Sequence, residues 1–384
     1  MKKLMLTTAI ASVFVTSAMA QTSITGELRI NYKSVVADKN QGAGITTTAG
    51  SVATYNTAIT GATQSQKAVA DAIGGLAAAV KGNTYSGFGT EQQINIQTKG
   101  KLNVAGLDYA AGMSLENDGD QGTTLFNENT YMDFTNASSG TTISLSRDHI
   151  QRSDSDRSAA VLVGFSPNDL SQTQYSVTTL FQQNIGAAPG QNYGIAVLQK
   201  TPIGTLSYNF APNNAAPAQS EDVANETKGA YEYGFVGDLG VKGLEAYYFK
   251  NNETDTVTTA VNKAQATSWG AKYNMGQISF GYADKNYNAA GATKSETNEK
   301  HYGVAYAVNK DVTVGLLYAK ANLEGDANAT KSTYSTGTQK VKAIQLGYAL
   351  GPVDLTASYA KNSDLLGISG NDSDTAMIRF IGKF

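Results

Sequence analysis

The chain of 384 residues carries a formal charge of -3, with 39 glycines, only 6 prolines and no cysteine. The absent thiol excludes a disulfide framework and thiol chemistry, and a slightly negative mean hydropathy argues against a bundle of membrane helices. Two histidines leave little material for a metal site or a His-based catalyst, no cofactor is expected, and the acidic balance argues against a nucleic-acid partner.

Residues 1–20 read as a secretory signal peptide. Lys2 and Lys3 precede an apolar run that closes on Ala18-Met19-Ala20, the small residues and spacing that a signal peptidase cleaves. The run is shorter than the ~20 apolar residues of a spanning helix. Cleavage would leave residues 21–384 as a single domain, two charge units more negative than the full chain.

From Gln21 onward, alternating segments of about ten residues recur to the end. In the first, Ile24, Gly26, Leu28, Ile30 and Tyr32 share one face, and Thr25, Glu27, Arg29, Asn31 and Lys33 share the other. Val35–Ser86 then breaks the pattern with a low-complexity run of Ala, Thr, Gly, Gln and Ser. Within it, Gln66–Lys81 is Ala-rich enough for a short helix interrupted at Gly74-Gly75. This insertion reads as a long first extracellular loop, or as a latch over a neighbouring subunit or the barrel mouth. Alternation resumes with Glu91, Gln93, Asn95 and Gln97 against Ile94 and Ile96, and with Asp108, Ser114 and Glu116 against Leu107, Tyr109 and Met113. Later, Tyr302, Val304 and Tyr306 lead into Asn309–Asp311, and Val312, Val314, Leu316 and Tyr318 lead out of it.

Short connections near Lys99–Lys101, Asn136–Gly140, Pro167–Leu170, Thr201–Gly204 and Leu350–Pro352 alternate with long polar stretches such as Pro212–Lys228 and Leu323–Gln339. Connections this short force antiparallel neighbours. The expectation is an all-β fold, a transmembrane antiparallel up-and-down β-barrel of about 16–18 strands with eighteen favoured, short periplasmic turns and long extracellular loops.

Parity proposes the lumen side. Glu27, Arg29 and Lys33 from the first strand, Glu91, Asp108 and Glu116 from the next two, Lys272, Asp354, and Arg379 and Lys383 from the last are candidate pore-lining residues. On the lipid side such charges would cost about 2–4 kcal/mol each near mid-bilayer. Inward Gly303, Ala305, Gly347 and Ser358 would leave room for water. Tyr273, Tyr282, Tyr302, Tyr318, Tyr348 and Tyr359 fall on the apolar parity and suit an aromatic girdle, whereas Tyr247-Tyr248-Phe249 must point at least one ring inward. The closing strand Thr375–Phe384 puts Ala376, Ile378, Phe380, Gly382 and Phe384 on one side and the cations Arg379 and Lys383 on the other.

The signal peptide, the opening GELRINYK strand, the short-turn hairpins and the terminal RFIGKF together resemble the general porins of Gram-negative bacteria. The resemblance implies residence in the outer-membrane lipid bilayer, a homotrimer of water-filled barrels, and a terminal Phe384 recognised by the barrel-assembly machinery. It also implies an inward-folded third extracellular loop whose acidic residues face a basic wall. The third long connection, Arg147–Ser158, offers Asp148, Asp154, Asp156, Arg152 and Arg157 for that constriction. It is short for a segment that must reach across a barrel, and Val35–Ser86 is the other insertion long enough.

Catalysis finds little support. His149 among Asp148, Asp154 and Asp156 is the one arrangement readable as catalytic, and no GxSxG, GxGxxG or Walker loop is present. The resemblance to the general porins implies passive diffusion of ions and small hydrophilic solutes. A substrate-selective channel and a non-conducting adhesive surface barrel are the alternatives.

Overall fold

The structure is a computed structural model. It describes residues 20–37, 84–102, 106–118, 126–147, 157–171, 181, 194–211, 229–253, 265–288, 295–325, 337–367, 370 and 372–384. The signal segment, the candidate helix at 66–81 and most of the long first loop lie outside these residues.

Sixteen antiparallel strands close into one barrel. They are β1 (Ala20–Ala37), β2 (Thr84–Lys101), β3 (Leu107–Asp118), β4 (Phe126–Asn136), β5 (Thr141–Arg147), β6 (Gly194–Thr201), β7 (Gly204–Ala211) and β8 (Ala230–Gly237). The second half comprises β9 (Leu244–Glu253), β10 (Gln265–Met275), β11 (Ile278–Asn288), β12 (Ser295–Ala307), β13 (Val312–Gly325), β14 (Gly337–Ala349), β15 (Val353–Ser363) and β16 (Ser373–Lys383). Each strand pairs with its chain neighbours, and β1 pairs with β16 to close the ring. Short turns sit on the rim that holds both ends of the described chain, and the long connections sit on the other. Both ends of Val35–Ser86 belong to β1 and β2, since Val35↔Tyr85 and Val36↔Thr84 are paired.

The period-2 pattern makes this wall. Ile30, Val304, Leu316, Ile344 and Ile378 stand exposed on the outer face, while polar or small residues between them face inward. Closure matters because a bilayer core offers no water to satisfy an open sheet edge. Outer rings form two sets. Trp269, Tyr282, Tyr302 and Tyr318 make a continuous line toward the long-loop rim, with successive centroids 5.1, 5.2 and 5.9 Å apart. Tyr273, Tyr306 and Tyr348 stand near the short turns.

The strand count corrects the favoured eighteen. Residues 157–171 and Phe181, expected to contribute two further strands around a turn at Pro167–Leu170, lie inside the barrel. Pro167–Ser171 forms a helical turn, α1. Ser166 caps it: Ser166 N donates to Asp169 Oδ2 at 2.9 Å and Asp169 N donates back to Ser166 Oγ at 3.2 Å. Pro167 occupies the first helical position, where its missing N–H costs nothing.

The core therefore sits within the barrel. Phe165, Leu170 and Phe181 are at most 2% exposed and pack on Leu317, Ala319, Val341, Ala360 and Met377 of the inner wall. Burial of each large side chain contributes roughly 1.5–3 kcal/mol.

Candidate functional site

The inward segment follows the wall for about half the ring, and the wall is recessed to receive it. At Gly281 and Gly303, paired neighbours on β11 and β12, a Cβ would run into the carbonyls of Ala159 and Ala160. Gly315 and Gly347 leave space for Val163. These small inward residues make room for polypeptide, which corrects the expectation that Gly303 and Gly347 leave room for water. Gln345 then clamps Phe165 from both sides, accepting from its N–H at 3.0 Å and donating to its carbonyl at 2.8 Å. Asn362 donates to the Leu170 carbonyl at 3.0 Å.

Both ends of the described segment are held by charges. Arg157 pairs with Glu245 on β9, and Tyr247 donates to the Arg157 carbonyl at 2.8 Å. At the other end Lys33 Nζ donates to the Asp169 carbonyl at 2.6 Å. Arg379 meets Asp169 Oδ1 at 3.4 Å, donates to Asn31 at 2.8 Å and lies 4.6 Å over the Phe165 ring.

A third tie was not legible in sequence. Ser158 Oγ lies 2.9 Å from His301 Nδ1, and His301 Nε2 lies 3.1 Å from Glu299 Oε2. A carboxylate can only accept, so Nε2 carries the proton and Nδ1 accepts from the serine hydroxyl. Lys285 is registered opposite Glu299. These groups line a cavity of about 270 Å³ between segment and wall, together with Asp169 and Phe181.

The candidates read from parity sort into groups. Arg29 pairs with both Glu27 and Glu91, so β1 and β2 present two carboxylates around one guanidinium. Further along β1, two cations converge on Asp169, Lys33 at its backbone carbonyl and Arg379 at its carboxylate. Asp354 and Lys383 pair at 3.1 Å near the short-turn rim, where Asp108 also pairs with Lys101 at 3.2 Å. Glu116 is buried opposite Gln93, and Lys272 faces Glu245 across β9 and β10. Of the constriction candidates, Arg157 is in the inward segment, while Asp148, Arg152, Asp154 and Asp156 lie outside the described residues. The connection is far longer than Arg147–Ser158, because β5 ends at Arg147 and β6 begins at Gly194. The S-P-x-D cap at Ser166–Asp169 was the available signal. Phe384 ends the chain on the outer face: its N–H and carbonyl both bond Gly26 of β1, and its ring covers the Cα of Gly26.

The sequence matches no family model and no curated protein. Solved structures do match. The anion-selective porin from Comamonas acidovorans aligns over 95% of this chain and 100% of its own, with a TM-score of 0.62 at 13% identity. The fold is that of the porins. Salmonella typhi OmpF in complex with daunomycin gives a TM-score of 0.62 at 10% identity over 94% of this chain and 97% of that one. A trimer form of OmpT, an outer membrane protein of Vibrio cholerae, gives 0.59 at 10% identity over 95% and 100%. At these identities the likeness lies in the porin architecture, a closed barrel threaded by one chain.

Proposed function

We propose that this chain is an outer-membrane porin, a water-filled channel for passive diffusion of ions and small hydrophilic solutes. The observation that carries it is the pairing of two surfaces across one wall. The outer face is apolar with aromatic rings at two levels. The inner face holds charged groups of both signs and is narrowed by a segment anchored at Arg157, Ser158 and Asp169. Adjacent clusters of opposite net sign, around Arg29 and around Asp169, follow one another along β1, so that a passing ion meets both signs in turn.

The same reading takes residues 1–20 as the export signal, and Phe384 as the feature the barrel-assembly machinery engages. A homotrimer is consistent with the trimer form among the compared structures. No catalytic role is assigned. The Ser158–His301–Glu299 relay is read as a strut, because the His301 ring is only 2% exposed and the serine belongs to the segment being anchored.

The test is single-channel recording of the purified protein in a planar bilayer under a salt gradient. Ohmic steps with a measurable reversal potential are expected, closing in threes for a trimer. Silent membranes from protein shown to be folded would overturn the channel.

A further inference from the structure

The outer wall carries a feature that ion passage does not use. Five lysines project outward from four consecutive strands toward the long-loop rim, one outward position beyond the rings or apolar residues below them. Lys300 follows Tyr302 on β12, Lys320 follows Tyr318 on β13, Lys342 follows Ile344 on β14 with Lys340 beyond it, and Lys361 follows Tyr359 on β15. The register sets them face to face: Lys300↔Lys320, Lys320↔Lys340 and Lys342↔Lys361 are directly opposed pairs. Like charges directly opposite destabilise a sheet, so three such contacts in one patch need an anion to offset them.

The protein supplies few. Asp284 lies 3.8 Å from Lys300, and Asp374, opposite Lys361, accepts a hydrogen bond from Tyr359 at 2.7 Å. Among the described residues, Lys320, Lys340, Lys342 and Lys361 have no ion-pair partner. Glu296 and Glu324 stand on the same face four residues further toward the rim.

Directly below Lys342 and Lys361 the outer face is hollowed. A groove of about 480 Å³ runs between Tyr302, Leu316, Ile344 and Tyr359, with almost purely apolar walls and with Lys342 and Lys361 lining its long-loop side. A cationic pair above an apolar slot matches one kind of molecule: a phosphate above an acyl chain. A second copy docking through this same face would bring its own lysines against these and be repelled.

We infer that Lys342 and Lys361, backed by Lys300, Lys320 and Lys340, bind the phosphate of an anionic lipid whose acyl chain lies in the Tyr302–Ile344–Tyr359 groove. The site presumes only that this barrel face meets lipid, and it is independent of ion passage. Each lysine near a membrane surface attracts anionic lipid by about fivefold in affinity, so removing two should weaken binding roughly twenty- to thirtyfold.

The full-length protein in detergent micelles would be titrated with phosphatidylglycerol and, separately, phosphatidylcholine, and bound lipid counted by native mass spectrometry. The wild type should retain phosphatidylglycerol in preference. The double variant Lys342→Gln/Lys361→Gln should lose that preference, and Ile344→Trp, which fills the groove but keeps both charges, should weaken retention of the same lipid. Heat-modified gel mobility shows that each variant is folded, and unchanged conductance separates this site from the pore. Equal retention of the two lipids by the wild type would overturn the inference, as would undiminished phosphatidylglycerol binding by the double variant. Displacement of the lipid by millimolar inorganic phosphate, with no effect of Ile344→Trp, would overturn the lipid as occupant.

Discussion

Asp169 does two jobs with three different atoms. Its carbonyl receives Lys33 and its carboxylate meets Arg379, while the other carboxylate oxygen holds the cap of α1. Among the described ion pairs it is the only acidic side chain on Arg379, and it offsets one of the two positive charges that Lys33 and Arg379 bring to that part of the lumen. Its exposure of 24% means that water screens it, and its effect on an ion passing about 4 Å away is on the order of 1 kcal/mol. Asp169→Asn should therefore move the anion-to-cation permeability ratio upward, by up to about fivefold, since 1.4 kcal/mol is a factor of ten. Reversal potentials in a tenfold salt gradient read this directly. A shift toward cations, or none, would place the selective charges elsewhere. Parity alone could name Arg29, Lys33 and Arg379 as inward, because each lies in a strand of fixed period. It could not name Asp169, Ser158 or His301 as partners, since 143 residues of sequence separate Ser158 from His301 and no local pattern links them.

At the scale of elements, the strands and the inward segment differ in how they are written. A wall strand meets lipid on one side and polar surroundings on the other, so its two-residue period is imposed by solvent and survives in the sequence. The segment from Arg157 to Ser171 meets protein along the wall, and its apolar residues are spaced by contact with particular strands. Ala159 and Ala160 meet Gly281 and Gly303, Val163 meets Gly315 and Gly347, and Phe165 meets Gln345. Without a period to follow, Pro167 reads as a turn between strands, and two strands too many result. The glycine recess gives a test of this fit. Gly303→Val leaves the β12 ladder intact but fills the space beneath Ala160, an overpacking that costs about 1–3 kcal/mol. The segment should lift from the wall with β12 still paired, giving an unchanged barrel by circular dichroism and an altered, noisier single-channel conductance. Identical conductance in a folded variant would mean that the segment does not govern the pore.

For the molecule as a whole, sixteen strands joined in sequence become a barrel only when the last finds the first. The register Glu27↔Lys383 through Ala37↔Ser373 makes that seam, and Phe384 extends it by bonding Gly26 with both its N–H and its carbonyl, at 3.0 and 2.7 Å. The ring seats on the lipid face where Gly26 has no side chain, and any Cβ there would strike it. A terminal aromatic could serve as a label for assembly, as a lock on the seam, or as both, and Gly26 separates these roles because changing it leaves the label in place. Loss of Phe384 and the substitution Gly26→Leu should both lower the temperature at which the refolded barrel opens in detergent micelles, the first by removing the two hydrogen bonds to Gly26 and the second by displacing the ring. In cells only the loss of Phe384 should sharply reduce the amount of folded barrel in the membrane. If Gly26→Leu refolds with wild-type thermal stability, the seated ring contributes nothing to closure and Phe384 is a label alone. If it fails in cells as severely as the truncation, closure of the β1–β16 seam is the step that the terminal residue serves.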